Sequence, residues 1–290
     1  MTTDKKISCF TILLFWLPSS LCLAQINRND DVDFAFYLLE NRKFEEIIQL
    51  FHPVLSELEQ NTLRSDSINY ILGMAHYYRK ELEKSAFHLL KVSDNSIFYD
   101  NSIFFSALNY AHLGNYLQAQ TVLTASTDEQ YEELKAIQLA GIALLKRDFE
   151  MFDKYANNFR FEQYFYSNSQ SQLLNVRGEL EEFSQKTPLM AGTLSAIVPA
   201  LGKIYTGQLG EGIATFLTVG TFAAITAENW YKNGISNWKT ITFGTLFSIF
   251  YVGNIFGSVA TVKVYINQFN EKQNNTILLS IHLPIRSLFQ

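Results

Sequence analysis

The sequence predicts an all-α protein: an α-solenoid of short helix pairs, followed by a small helical transmembrane domain. Three observations predict it. Small residues recur at matching points of four similar segments between residues 34 and 149. Charge is divided unevenly, with 15 Lys and Arg against 24 Asp and Glu in residues 25–187, and six against three in 188–290. The second part also holds long uncharged stretches, and 240–262, at 23 residues, is long enough to cross a bilayer. The net acidic first part lacks a basic stripe, which argues against nucleic acid as a partner, because phosphate binding rests on clustered Lys and Arg.

Residues 1–24 form their own unit. Lys5 and Lys6 precede the uncharged run 7–17, Pro18-Ser19-Ser20 breaks any helix, and Cys22 and Ala24 put small side chains before Gln25. A charged start, a short apolar run and a small-x-small end predict a secretory signal peptide. Both cysteines lie inside it. The exported chain is then expected to carry no disulfide and no thiolate site.

Residues 25–187 carry the repeat. Ala35, Gly73, Ala107 and Ala140 are separated by 38, 34 and 33 positions, and nine residues after each comes a large apolar side chain, Phe44, Leu82, Tyr116 or Phe149. A small residue lets a first helix approach a second. A polar turn such as Lys146-Arg147-Asp148 ends the first helix, and the large residue opens the apolar stripe of the second. Ser65-Asp66, and a capping box from Thr127 to Gln130, read as helix starts. Over residues 32–160 this spacing resembles the tetratricopeptide repeat family. Stacked repeats bury a continuous core and leave a concave groove suited to a peptide or a partner helix. Phe36, Tyr37, Tyr77, Tyr78, Phe104, Phe105 and Tyr110 are candidates to line it or to pack the core. Residues 157–186 read as a terminal hairpin or cap.

Residues 188–270 are expected to form the transmembrane helical domain. Segments 189–206, 212–227 and 240–262 together hold one charge, Lys203. Pro199 removes a backbone donor, and Gly202 and Gly207 lack side chains, so the first segment is either a kinked span or a dip that turns back. The kinked span, with three crossings in all, places Lys263, Lys272 and Arg286 in the cytoplasm. Gly207, Gly210 and Gly212 are expected to make a tight turn, and Tyr205 an interfacial anchor. Gly253 and Gly257 offer bare surface for close approach of another helix, and Asn254 needs an interhelical hydrogen bond, for which the carbonyls freed near Pro199 are candidates.

The run Pro199-Ala200-Leu201-Gly202-Lys203-Ile204-Tyr205-Thr206-Gly207, with Gly212 after it, resembles a small bacterial membrane domain carried at the C-terminus of many envelope tetratricopeptide proteins. That domain reads P-G-x-G-x-x-Y-x-G, so Ala200 stands where it has its first glycine. Tyr251-Val252-Gly253-Asn254 resembles its second hallmark. The resemblance implies architecture and no catalytic activity. The tail, 271–290, is expected to lie along the membrane or to extend as a strand.

The five histidines show no metal-ligand spacing, and no phosphate loop or nucleophile elbow is present. The sequence therefore predicts neither enzyme, cofactor nor metal. It predicts a bacterial inner-membrane protein whose periplasmic repeat domain binds a protein or peptide partner in envelope assembly, with membrane lipid around its anchor. The alternative is a membrane-embedded insertion or transport component with the repeats as a handle.

Overall fold

The computed structural model describes residues 30–53, 62–126 and 128–289. The leader segment and Thr127 lie outside the described residues. Every regular element among the described residues is a helix. Four pairs come first: α1 (Asp30–Glu40) with α2 (Phe44–Phe51), α3 (Thr62–Tyr78) with α4 (Leu82–Leu89), α5 (Tyr99–His112) with α6 (Tyr116–Leu123), and α7 (Glu132–Leu145) with α8 (Phe149–Ala156). Each second helix begins on the large apolar residue of its repeat.

The turns between them share one geometry. Arg42, Lys80, Gly114 and Arg147 occupy the same repeat position and all have positive φ, between 58° and 79°. In the α3–α4 turn the Lys80 N–H donates to the Tyr77 carbonyl and the Glu81 N–H to that of His76, and the other three turns repeat this pattern. A left-handed residue with this pair of bonds satisfies the last carbonyls of a helix and reverses the chain. Ala35, Ala107 and Ala140 are fully buried. At Gly73 a Cβ would fall 2.5 Å from Leu89 Cγ, so close packing of α3 on α4 excludes any side chain there. The helix starts differ from expectation. Asp66 lies inside α3 and accepts from Ser93 instead, tying α3 to the turn after α4.

Residues after 157 depart further. Of the two readings for residues 157–186, a terminal hairpin or a cap, the hairpin is absent: the segment holds one helix, α9 (Tyr164–Glu182). Then follow α10 (Pro188–Ile197), α11 (Leu201–Tyr205), α12 (Leu209–Asn233) and α13 (Trp238–Phe289). With 52 residues, α13 is about 78 Å long at 1.5 Å per residue. No break marks residue 270. Its first half pairs with α12, where Phe222 stacks on Phe250. Its second half runs back into the repeats. The tail is therefore neither a strand nor a membrane-surface segment: Ile277, Ile281 and Ile285 are fully buried.

α12 and α13 are both long and apolar enough to cross a membrane, and only 11% and 22% of their most apolar stretches is covered by protein. Phe216, Leu217, Ile241, Ile249 and Phe256 all point outward.

Candidate functional site

Two places gather the residues singled out by sequence. The first is the chain break around Pro199. α10 opens on Pro188, whose missing N–H costs nothing at a first helical position, with the Thr187 hydroxyl accepting from the Met190 N–H. It ends because the residue before a proline avoids helical backbone, and Val198 is extended at φ −132°, ψ 119°. Ala200 then takes left-handed φ 78° and α11 starts in the opposite direction.

Neighbours along α13 establish the reversal. Going down α10, Gly192 faces Val259 and the Ala196 carbonyl meets Tyr251. Coming back, Ala200 meets Asn254, Gly202 faces Ser258, and Thr206 bonds Thr261 at 3.1 Å. The segment is thus a helical hairpin folded back on itself and not a kinked continuous helix, so among the described helices only α12 and α13 are long and apolar enough to cross a membrane.

The break leaves specific backbone groups without helical partners, and α13 supplies three of them. In a continuous helix the Ser195 carbonyl would accept from residue 199, where proline has no N–H. Asn254 Nδ2 donates to it at 3.3 Å. The Ala200 N–H, which would have reached Ala196, donates to Asn254 Oδ1 at 3.1 Å. The freed Ala196 carbonyl accepts from the Tyr251 hydroxyl. One amide and one phenol bridge the gap.

Glycines set how closely the hairpin packs. A Cβ on Gly202 would lie within van der Waals contact of the Ala191 carbonyl oxygen, 2.6 Å from Ser195 Oγ and 2.7 Å from Ser258 Cβ. The Gly202 N–H donates to Ser195 Oγ at 2.9 Å. Gly212 faces Ile204 Cγ1, 2.7 Å from its would-be Cβ. Gly207, at φ 84°, ends α11 with the same bond pair that ends the repeat helices. Gly210 and Gly212 lie inside α12 and are not part of the turn. Gly253 and Gly257 do not bring a helix close: a Cβ on Gly253 meets nothing, and one on Gly257 meets only the Lys203 side chain. Gly253 instead lines a lateral cavity of about 420 Å³. Lys203 reaches its edge and bonds Thr215 at 3.0 Å, and the Lys186 ammonium sits over the Tyr205 ring.

Ala200 carries strain that a glycine would not. An L-residue in left-handed backbone costs roughly 1–2 kcal/mol, offset in part by the greater unfolded freedom of glycine. Ala200→Gly is therefore expected to stabilise the purified protein by about 1 kcal/mol, read as a raised unfolding midpoint in detergent; an unchanged or lowered midpoint would show the strain is absent.

The second place is the face that α3, α5, α7 and α9 present to the second half of α13, where the groove was expected. The second half of α13 lies antiparallel to α7 and α9. Arg147 at the end of α7 meets Asn270 and Asn274, Gly141 faces Ile277 and Ile281, and Tyr131 near its start meets Phe289. On α9, Glu179 accepts from Gln273 and Gln172 from Ser280. α7 is enclosed between its neighbours, with 12 residues from Glu133 to Leu145 buried. Of the expected groove aromatics, Tyr77 meets His282, with 2.8 Å between its hydroxyl and Nε2, and Phe104 packs on Phe289. Phe105 backs Tyr77, whereas Tyr37 is exposed. Arg147, Gln138, Gly141 and His282 were not legible as groove residues. The signal that existed was the fourfold spacing Ile277, Ile281, Ile285, Phe289.

His282 faces Tyr77 of α3, His112 of α5 and Arg286 of its own helix. Burial pushes its imidazole below the ordinary value, and His112 and Arg286 push the same way. His112 is itself lowered by burial. The docked tail thus binds fewer protons than a free one, so docking is at full strength above the ordinary histidine pKa of about 6.5 and weakens as the pH falls below it. Hydrogen exchange of 277–285 is expected to speed up, beyond the intrinsic pH effect, between pH 7.5 and pH 5. His282→Gln, which keeps a partner for Tyr77, should flatten that response; the same response in both proteins would assign it elsewhere.

Comparison with protein-family profiles, with curated proteins and with solved structures found no match.

Proposed function

We propose that this chain is a scaffold of the bacterial envelope, a tetratricopeptide-like solenoid anchored in the inner membrane, whose groove recognises an amphipathic helix of a protein partner. The observation that carries this reading is the way residues 270–289 sit in the groove, a helix held through side chains much as a ligand helix would be. The anchor reading is supported by the bare apolar surface of α12 and α13, far larger than a soluble monomer tolerates. A solute path is the weaker reading, because the polar side chains buried between α10, α11 and α13 are already bonded: Ser195, Ser258 and Asn254 to one another and to the chain break, and Thr206 to Thr261.

Two full crossings return the chain to the side it left. With an exported leader, the repeats and the tail share the periplasm, and the loop between α12 and α13 is cytoplasmic. This orientation puts Lys232 and Lys239 inside, in keeping with the positive-inside tendency. It replaces the three-crossing expectation, which separated Lys272 and Arg286 from the repeats that they adjoin. Single cysteines at Ser236 and Asn275, in a protein whose leader cysteines have been removed, test it. A membrane-impermeant maleimide should label the cysteine at 275 in spheroplasts, and the one at 236 only after lysis. Labelling of both from outside would remove the anchor topology and the scaffold proposal with it.

A further inference from the structure

The tail complements the groove imperfectly, and the mismatches share a pattern. Along its apolar face the fit is close: Ile277, Ile281 and Ile285 are fully buried and Phe289 closes between Phe104 and Tyr131. Along the edge that faces Arg147 and Gln138 it is not, although Gln273 and Ser280 are well bonded to α9 on the other side. Arg147 donates from one guanidinium nitrogen to Asn270 Oδ1 at 3.0 Å and to Asn274 Oδ1 at 2.9 Å, two neutral amides. Among the described residues no carboxylate forms an ion pair with Arg147, and the residue is held in place by its own left-handed backbone and a bond to the Leu144 carbonyl. Gln138, fully buried beneath the tail, donates to the Ile281 carbonyl while its own carbonyl oxygen has no partner among the described residues. Pro284 also removes a donor from the middle of the docked helix.

A cation fixed at the mouth of a groove, facing amides, is worth more to a ligand that brings a carboxylate, since charge-assisted bonds are roughly twice as strong as neutral ones. We propose that the groove's partner is an amphipathic helix with aliphatic side chains at every fourth position and a carboxylate where this chain has Asn270 or Asn274, and that the C-terminal helix competes with it in cis. This rests on the groove being a recognition surface. The tail wins by tethering, because a segment joined to its site acts at an effective concentration of roughly millimolar order. A partner anchored in the same membrane meets it on comparable terms. A closing segment that is adequate in shape and deficient in charge keeps the groove covered and remains replaceable.

Two fluorescent peptides test the proposal, one with the sequence of residues 268–289 and one with the same sequence carrying N270D and N274D. They are titrated into the full-length protein in detergent and into a tail-released form, Ile277→Glu with Ile281→Glu, checked for retained helix content. The released form should bind both at least tenfold more tightly than the intact protein does, and the acidic peptide about tenfold more tightly than the native one. Arg147→Gln should remove that preference and leave native-peptide binding within about twofold. Equal affinity for the two peptides, or a preference surviving Arg147→Gln, overturns this inference and leaves the groove reading in place. Absence of any binding to a folded released form overturns both. Should the released form not fold, the same contrast is read in cis: N270D with N274D in the intact chain should slow hydrogen exchange of 277–285 by about tenfold, and only while Arg147 is present. No slowing rejects the proposal.

Discussion

Gly202→Ala is expected to dismantle the hairpin of α10 and α11. The added methyl meets three obstacles at once, the Ala191 carbonyl oxygen, Ser195 Oγ and Ser258 Cβ. None is the free end of a flexible chain: the first is backbone, the second accepts the Gly202 N–H, and the third belongs to α13. Overpacking a tight interior costs about 1–3 kcal/mol and more where the neighbours cannot yield. A loss of about 3 kcal/mol or more is expected here, because relief requires α11 to move off α13. That movement pulls the Ala200 N–H from Asn254 and exposes Ser195, so the hydrogen bonds that close the break go with it. A thermal melt in detergent checks this, with Gly220→Ala beside it. Gly220 has open space where its Cβ would go, so that variant should be neutral or slightly stabilised. Equal behaviour of the two would show that the hairpin is not packed as described.

Gly141→Leu should expel the tail. A Cβ at this position falls within van der Waals contact of Ile281 Cγ2, and a leucine would fill the space that Ile281 and Ile277 share. Those two side chains and Ile285 each contribute about 1.5–3 kcal/mol of apolar burial, so the docked state becomes the less stable one once they lose their seat. Residues 270–289 should then show near-intrinsic hydrogen exchange and become cleavable at Lys272, while α12 and the first half of α13 stay protected. Gly178→Ala on α9, where nothing lies near the added methyl, provides the comparison. If Gly141→Leu left exchange of 277–285 unchanged, the groove would not be the seat of the tail.

Legibility in the sequence followed the range of the interaction. The repeat was readable because its determinants are local: a small residue, a polar turn and a large apolar residue at fixed offsets produce a helix pair whatever surrounds them. Even the shared turn geometry follows from one position, although only Gly114 among its four residues advertises a left-handed backbone. Asn254 was readable as a residue in need of a partner, since an amide in an apolar helix must be bonded. Its partners followed from Pro199, 55 positions away in the chain: the carbonyls freed there were the expected acceptors, Ser195 supplies one, and the bond from the Ala200 N–H was not foreseen. Arg147 shows the opposite case. It looked like a solvated turn residue, and its role depends on Asn270 and Asn274, 123 and 127 positions distant.

The C-terminal helix makes the same point in the other direction. Its fourfold isoleucine spacing is a helix signal, but its apolar character was read as a lipid-facing surface or a strand. Burial decided it. A proline costs a helix one hydrogen bond and a clash, about 3 kcal/mol, and three isoleucines sealed in a groove repay that.

By itself the sequence determined the helical class, the four paired segments, the point where the chain turns apolar and the break at Pro199, because each follows from side chains within a few turns of one another. Only the tertiary structure decided the direction of the chain after that break and the occupant of the groove. Both depend on which distant surfaces bury most apolar area with every backbone group bonded, and no local pattern records that outcome.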